Sequence, residues 1–228
     1  MKSSKINLLL VITLVIIILF ITIIFKNKKE HFVTIERFPI CKSHCFNYRI
    51  NKTKNIIKNL NLKQGSKILD IGGNNYIDFC KNNKYEYTMI DLKSSQKTGD
   101  GGYYPGGLTY DGRNLPFKKN QFDLVIVSFV FHHASNNTLF LLKQIKDISS
   151  KYILVGEDLS ELNYPLEWHK RNFNHQPGGV FRSDEEWKEL FSLYNLKLIK
   201  QFTISHENEK HLGEHIFRTI YLLENNKL

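Results

Sequence analysis

Residues 67–75 read Lys-Ile-Leu-Asp-Ile-Gly-Gly-Asn-Asn, a short apolar run that breaks at a pair of glycines. This is the pattern of a buried strand that enters a tight turn and leads into a helix. Two further acidic residues follow at a regular interval. Asp91 stands 21 residues and Asp111 stands 41 residues past Asp70, each near the end of its own strand-like run. Acids at three successive strand ends, with glycines after the first, point to a parallel sheet whose carboxyl edge holds a nucleotide-type cofactor.

The rest of the chain supplies that sheet. Residues 48–61 place Ile50, Ile56, Ile57 and Leu60 at near-helical spacing, which predicts an amphipathic lead-in helix. Strands are expected at 66–71, 86–92, 108–111, 122–130 and 151–156. The fourth of these, Phe-Asp-Leu-Val-Ile-Val-Ser-Phe-Val, is continuous and β-branched, as a central strand buried on both faces should be. A helix after the first turn should carry Ile77, Phe79 and Cys80 inward. A helix over 136–149 should bury a stripe of Leu139, Leu142, Ile145 and Ile148. Ser183 and Glu186 have the spacing of a capping box ahead of a helix that buries Trp187, Leu190 and Phe191. Runs at 196–204 and 215–223 with no helical signal between them predict a C-terminal antiparallel hairpin. The expected fold class is therefore α/β: a Rossmann-like mixed sheet of about seven strands, with helices on both faces.

The N-terminus is of another kind. Residues 6–25 carry no charge, with Lys2 and Lys5 before them and Lys26, Lys28 and Lys29 after. At about 1.5 Å per residue such a helix reaches roughly 30 Å, a bilayer core. No Ala or Gly occurs before Gly65, so a signal-peptide cleavage site is not expected. The prediction is a short polar N-terminus at 1–5, one N-terminal transmembrane helix at 6–25 and a linker at 26–47. The domain at 48–228 would lie on the cytosolic side of the membrane, on the weight of the downstream lysines. On this expectation the lipid bilayer is a partner. The acceptor of any chemistry would be a small molecule, a lipid or a membrane-proximal protein.

Composition excludes some classes. The formal charge is +10, but its lysines are scattered and form no arginine-rich stripe interleaved with aromatics, so nucleic acid is not favoured. The three cysteines, Cys41, Cys45 and Cys80, are too few for a disulfide framework. Cys41, His44 and Cys45 could form half of a metal site, but no second pair completes it, and no metal is expected.

Three strings then converge on a known family: Tyr-Asp-Gly-Arg-Asn-Leu-Pro-Phe at 110–117, Asn-Gln-Phe-Asp-Leu-Val at 120–125 and Phe-His-His-Ala at 131–134. Together they resemble the class I S-adenosylmethionine-dependent methyltransferases, in particular the small type 11 kind. The resemblance covers about residues 66–157 and extends loosely into the C-terminal third. It implies S-adenosylmethionine as cofactor, with Asp70, Gly72 and Gly73 at its methionine end. Asp91 would hold the ribose, and Asp111 the adenine amino group with Gly112 alongside. Ser128 and Phe129 would line the cleft. The chain departs from the family at one place. The usual turn repeats glycine at alternate positions after the acid, and Asn74 and Tyr76 occupy the second and third of these.

The catalytic group is not identified by these patterns. His132 and His133 follow the fourth strand and are candidate bases near neutral pH. Glu157 and Asp158 end the fifth strand at the same edge. The segment 164–182 carries Trp168, His169, His175 and Arg182 and is placed to act as a lid or substrate wall. Methyl transfer by in-line displacement at a sulfonium carbon mainly needs alignment and exclusion of water, so a base is optional. Two alternatives stay open: a catalytically inactive scaffold that keeps the fold, and a nicotinamide-dependent oxidoreductase, which would call for a fuller glycine fingerprint.

Overall fold

The computed structural model describes residues 33–38, 44–73, 75–92, 107–134, 137–160, 180–207 and 215–226. Its centre is a single sheet of eight strands. In chain order they are β1 (Val33–Phe38), β2 (Lys67–Ile71), β3 (Glu86–Leu92), β4 (Leu108–Tyr110), β5 (Phe122–Ser128), β6 (Ser149–Asp158), β7 (Leu196–Glu207) and β8 (His215–Asn225). The order across the sheet is β1-β7-β8-β6-β5-β2-β3-β4. Strands β6, β5, β2, β3 and β4 are parallel to one another, and β8 runs antiparallel to both β6 and β7. The mixed sheet and closing hairpin are those expected. The eighth strand is β1, which lies in the stretch read as a linker and pairs in parallel with β7.

The helices are α1 (His44–Lys58), α2 (Ile77–Asn82), α3 (Phe131–Ala134), α4 (Thr138–Ile148) and α5 (Asp184–Leu193). Period-two alternation along the strands divides the core into two layers. Leu69, Ile71, Val125 and Val127 face Leu142, Ile145, Trp187 and Phe191 of α4 and α5. Ile68, Leu124, Ile126 and Leu154 face Ile50, Ile57, Phe79 and Cys80 of α1 and α2. Each such side chain, fully buried, contributes on the order of 1.5–3 kcal/mol, so the central strands are held from both sides.

Helix α5 starts where its capping box predicts. Ser183 Oγ accepts the Glu186 N–H at 3.2 Å, and Glu186 Oε2 accepts the Ser183 N–H at 2.7 Å. The stripe expected on α4 is buried at Leu142, Ile145 and Ile148 but not at Leu139. Leu139 is 48% exposed, and Thr138 and Leu141 are buried with Leu142, Ile145 and Ile148. The cause is local: Thr138 Oγ1 donates to the Phe131 carbonyl at 3.1 Å, which fixes the phase of the first turn.

The membrane placement is corrected. Among the described residues no helix is long and apolar enough to cross a membrane. The longest, α1, has 15 residues and carries Arg49, Lys52 and Lys54 along its length. At 1.5 Å per residue that is roughly 22 Å, short of a hydrocarbon core. The 6–25 stretch on which a single-pass protein with a cytosolic domain was expected lies outside the described residues. Cys41, Asn74, the loop at 93–106, Trp168, His169 and His175 also lie outside them.

Candidate functional site

The three spaced acids come together as the sequence pattern required. Strand β2 lies beside β3, and β3 beside β4, all parallel, with Asp70 level with Met89 and Asp91 level with Thr109. Asp70, Asp91 and Asp111 therefore stand at one carboxyl edge, on three adjacent strand ends.

Asp70 is wholly buried on the α1/α2 side. Its Oδ2 accepts the Tyr87 hydroxyl at 2.7 Å. Its Oδ1 is buried without a hydrogen-bond partner. Burial pushes the carboxyl up to about 7, against the Tyr87 hydrogen bond, and the charge of Asp91 adds to the rise. Tyr87 was not singled out from the sequence. It lies on the same strand face as Asp91, four residues earlier, and that alternation was the available signal.

The glycine turn is closed around this acid. Gly72 has φ +72, and a Cβ there would stand 2.6 Å from Val130 Cγ2. A Cβ on Gly73 would stand 3.0 Å from Asp70 Oδ1. An orphaned carboxylate oxygen beside a backbone kept bare by two glycines fits the polar methionine end of the implied cofactor. Asp91 Oδ1 accepts the Leu92 N–H at 2.6 Å, which orients the carboxylate at its strand end. Asp111 is exposed. Its Oδ1 accepts the Arg113 and Asn114 N–H groups at 2.8 Å each, which holds it below the usual carboxylate range. Gly112 follows with φ +82.

Tyr76, at the third glycine position of the family turn, is a core residue, 3% exposed. Its phenol is hydrogen-bonded to Thr53 of α1 and Ser128 of β5, and burial pushes it up to about 12. Ser128, expected in the cleft, is thus tied to this tyrosine. Phe129 follows with φ +62, and its N–H donates to the Gly156 carbonyl at 2.7 Å. The Arg49 guanidinium lies 4.0 Å from its ring centroid.

The catalytic candidates lie on the other side of the sheet edge. Glu157 Oε1 accepts the Val130 and Phe131 N–H groups at 3.1 and 2.8 Å, which closes the start of α3. Its Oε2 is 2.7 Å from His132 Nδ1. Glu157 is 0% and His132 3% exposed. Burial would lower the imidazole, but the Glu157 hydrogen bond and charge carry it above its ordinary value. Burial raises Glu157, opposed by His132 and the Phe131 N–H. The two upward shifts compete for one proton, and with two backbone N–H donors already on Glu157 it belongs on His132. Glu157 is in this arrangement a positioning residue. His133 is exposed, and its ring lies tilted at 46° beside that of His132, 3.9 Å between centroids. Asp158 pairs with Arg218, Oδ1 to Nε at 2.7 Å. Arg182 lies 5.1 Å from the Trp187 ring centroid. Among the described residues no cluster of His, Cys, Asp and Glu could hold a metal ion.

Residues 69–150 match a family model described as a methyltransferase domain. No curated protein sequence matches the chain. Among solved structures, the MccD protein superposes with a TM-score of 0.60 at 14% identity, over 78% of this chain and 96% of that one. A putative methyltransferase from Bacillus halodurans gives 0.59 at 12% identity, over 79% and 100%. An S-adenosylmethionine-dependent methyltransferase from Methanosarcina mazei gives 0.53 at 15% identity, over 74% and 96%. At these identities the superpositions show the fold. The chain has the Rossmann-like fold of the class I methyltransferases with a methyltransferase domain over residues 69–150, a combination that supports S-adenosylmethionine as its cofactor.

Proposed function

We propose that the chain transfers a methyl group from S-adenosylmethionine to an acceptor bound at the carboxyl edge of β5 and β6. The observation that carries this reading is the buried, unpartnered Asp70 Oδ1 beside the bare turn of Gly72 and Gly73. A buried acceptor atom without a donor is costly unless a ligand completes it. The ammonium of a methionine moiety is such a donor.

When bound, the cofactor supplies an activated methyl group on a sulfonium. The residues have simpler duties. Asp70, Gly72 and Gly73 hold the amino-acid end; Asp91 accepts from the ribose hydroxyls; Asp111 and Gly112 flank the adenine. Ser128 and Phe129 close the wall toward the acceptor. Glu157 fixes the turn that carries Val130 and Phe131, and with it the position of His132. No proton need move before the methyl group does, so alignment supplies most of the rate.

A second reading rests on Tyr76 and Asn74. A phenol packed where the family keeps glycine favours a scaffold that retains the fold without the cofactor. Calorimetry on the full chain with S-adenosylhomocysteine and with NAD separates the readings. Heat with the first and none with NAD is expected. Silence with both would establish the scaffold, and heat with NAD alone would replace methyl transfer with redox chemistry.

A further inference from the structure

Arg182 is delivered to the carboxyl end of β6 by a short strap of chain. The Val180 N–H donates to the His132 carbonyl at 3.0 Å. The Phe181 ring stacks on the His132 imidazole, 5.0 Å between centroids. Arg182 is bridged to Leu159, the residue after β6, and its carbonyl accepts the Ser160 N–H at 3.0 Å. Its guanidinium then lies 5.1 Å from the Trp187 ring centroid on α5.

This corner holds polar atoms that the fold leaves unmatched. Arg182 Nη1, Trp187 Nε1 and Gln201 Oε1 are buried without a hydrogen-bond partner. Trp187 is 0% and Gln201 2% exposed, so bulk water does not serve them. Gln201 belongs to the corner through Asp184, whose Oδ1 accepts its Nε2 at 2.8 Å. That bond sets which way the amide points and leaves Oε1 to accept from a donor.

The charge of Arg182 is unmatched as well. The described acids around it are engaged elsewhere. Glu157 holds His132 and two backbone N–H groups, and Asp158 pairs with Arg218 at 2.7 Å. Asp184 pairs with Lys188 at 2.6 Å and also accepts from Tyr221 and Gln201. A buried donor is costly unless something completes it. The guanidinium fork and the indole N–H can only donate, and a carboxylate can only accept, so one carboxylate completes both. Trp187 packs in the α4/α5 layer, on the face of the sheet opposite to Asp70 and its glycine turn.

We propose that Arg182, backed by Trp187 Nε1, binds the carboxylate of a small-molecule methyl acceptor at the carboxyl end of β6. The identity of the ligand as acceptor rests on the methyl-transfer reading; the carboxylate site itself does not. Arg182 selects and places the acceptor, and the transferred methyl group does not touch it.

The test uses the full chain, wild type against Arg182→Gln and Arg182→Lys, with melting followed to confirm folding. Acetate and benzoate are the carboxylate probes, and benzamide is the neutral counterpart of benzoate. Binding is read by calorimetry with and without S-adenosylhomocysteine. It is read again from the indole N–H NMR signals of the two tryptophans, assigned with Trp168→Phe. A carboxylate probe should bind wild type and shift the Trp187 signal, and should lose about tenfold or more in Arg182→Gln. Arg182→Lys keeps the charge without the planar fork and falls between. S-adenosylhomocysteine should bind all three proteins equally. The site is overturned if wild type binds neither carboxylate, or if benzamide binds as tightly as benzoate. Carboxylate binding that leaves the Trp187 signal in place, or that survives Arg182→Gln unchanged, also overturns it. The Trp187 shift is read on wild type, so it decides even where a variant fails to fold. Weaker S-adenosylhomocysteine binding in Arg182→Gln would move the arginine to the cofactor and overturn the acceptor assignment. If wild type binds the carboxylates but not S-adenosylhomocysteine, methyl transfer falls and the carboxylate site stands.

Discussion

His132 Nδ1 and Glu157 Oε2 lie 2.7 Å apart in a site that water does not reach, and the same carboxylate accepts two backbone N–H groups at the start of α3. The pair raises the His132 imidazole above its ordinary 6.5. A raised folded value means stabilisation that is present below 6.5 and is lost as pH rises through the folded value. Glu157→Gln keeps an acceptor for the backbone but removes the charge. Burial, the largest influence on the imidazole, then lowers it, with the Arg218 charge acting in the same direction and the Asp158 charge against it. The variant should lose about 1–3 kcal/mol, more at acidic than at alkaline pH. Denaturant unfolding at both ends of the range, with an NMR titration of His132, measures it. A pH-independent loss would mean that the pair is never charged.

Asp70→Asn should act in the opposite sense at high pH. The folded carboxyl, at about 7 against an ordinary 3.8, holds a proton that the unfolded chain has released, so stability falls as pH rises through that window. Asparagine is neutral throughout and still accepts from Tyr87. In the absence of cofactor, the variant should match wild type near the acidic end and exceed it above neutrality, by on the order of 4 kcal/mol at most. Melting temperatures across the range decide this. A variant less stable than wild type at alkaline pH would show that the charged form has a donor.

Much of this architecture was legible because apolar strands buried on both faces need no context to be recognised. That holds for 67–71 and 122–128, and for the Ser183 and Glu186 cap. Strand β1 was not, because Glu36 and Arg37 give an edge strand the look of a polar linker. On α4 the stripe of Leu142, Ile145 and Ile148 was read correctly and only Leu139 was misplaced, because Thr138 takes the inward position of the first turn by reaching Phe131, a tertiary contact. The acids at β2, β3 and β4 were legible by spacing alone. The arginines were not: Arg49 and Arg218 reach Phe129 from elements far apart in the chain, and no interval in the sequence records that meeting. Tyr76 was visible only as a missing glycine. That its phenol joins α1 to β5 required the fold.

Gly72→Ala combines two costs at one position. The φ of +72 disfavours any Cβ, and the new methyl would meet Val130 Cγ2 at 2.6 Å. A loss of about 2–3 kcal/mol is expected. Val130→Ala in the same chain removes the contact and leaves the backbone strain, so the double variant should recover part of the loss. Full recovery would mean that the turn tolerates alanine at positive φ; no recovery would mean that Val130 yields without cost.

Asp91→Ala tests the ribose end of the site separately from the fold. The side chain is partly exposed, and its carboxylate accepts the N–H of its own neighbour, Leu92. Stability should change little. Affinity for S-adenosylhomocysteine should fall by about tenfold or more, as when hydrogen bonds to a charged group are lost. Calorimetry gives both numbers from one preparation. Unchanged affinity would remove Asp91 from the cofactor site.

Tyr76→Phe asks whether the residue that displaced a glycine is now structural. The ring is buried among Ile50, Ile57 and Ile126, and the variant keeps that packing. What it loses are the hydrogen bonds to Thr53 and Ser128, and Thr53 is itself buried, so its hydroxyl is left to find another partner. The expected cost is about 1–3 kcal/mol, read as an earlier unfolding midpoint. The cost should appear as faster hydrogen exchange along α1, because the phenol is the polar link between that helix and β5. If stability falls and S-adenosylhomocysteine affinity does not, the tyrosine serves the scaffold and the lost glycine was dispensable for the cofactor. Tighter binding in Tyr76→Phe would instead show that the bond to Ser128 holds the cleft wall in a position that the cofactor must displace.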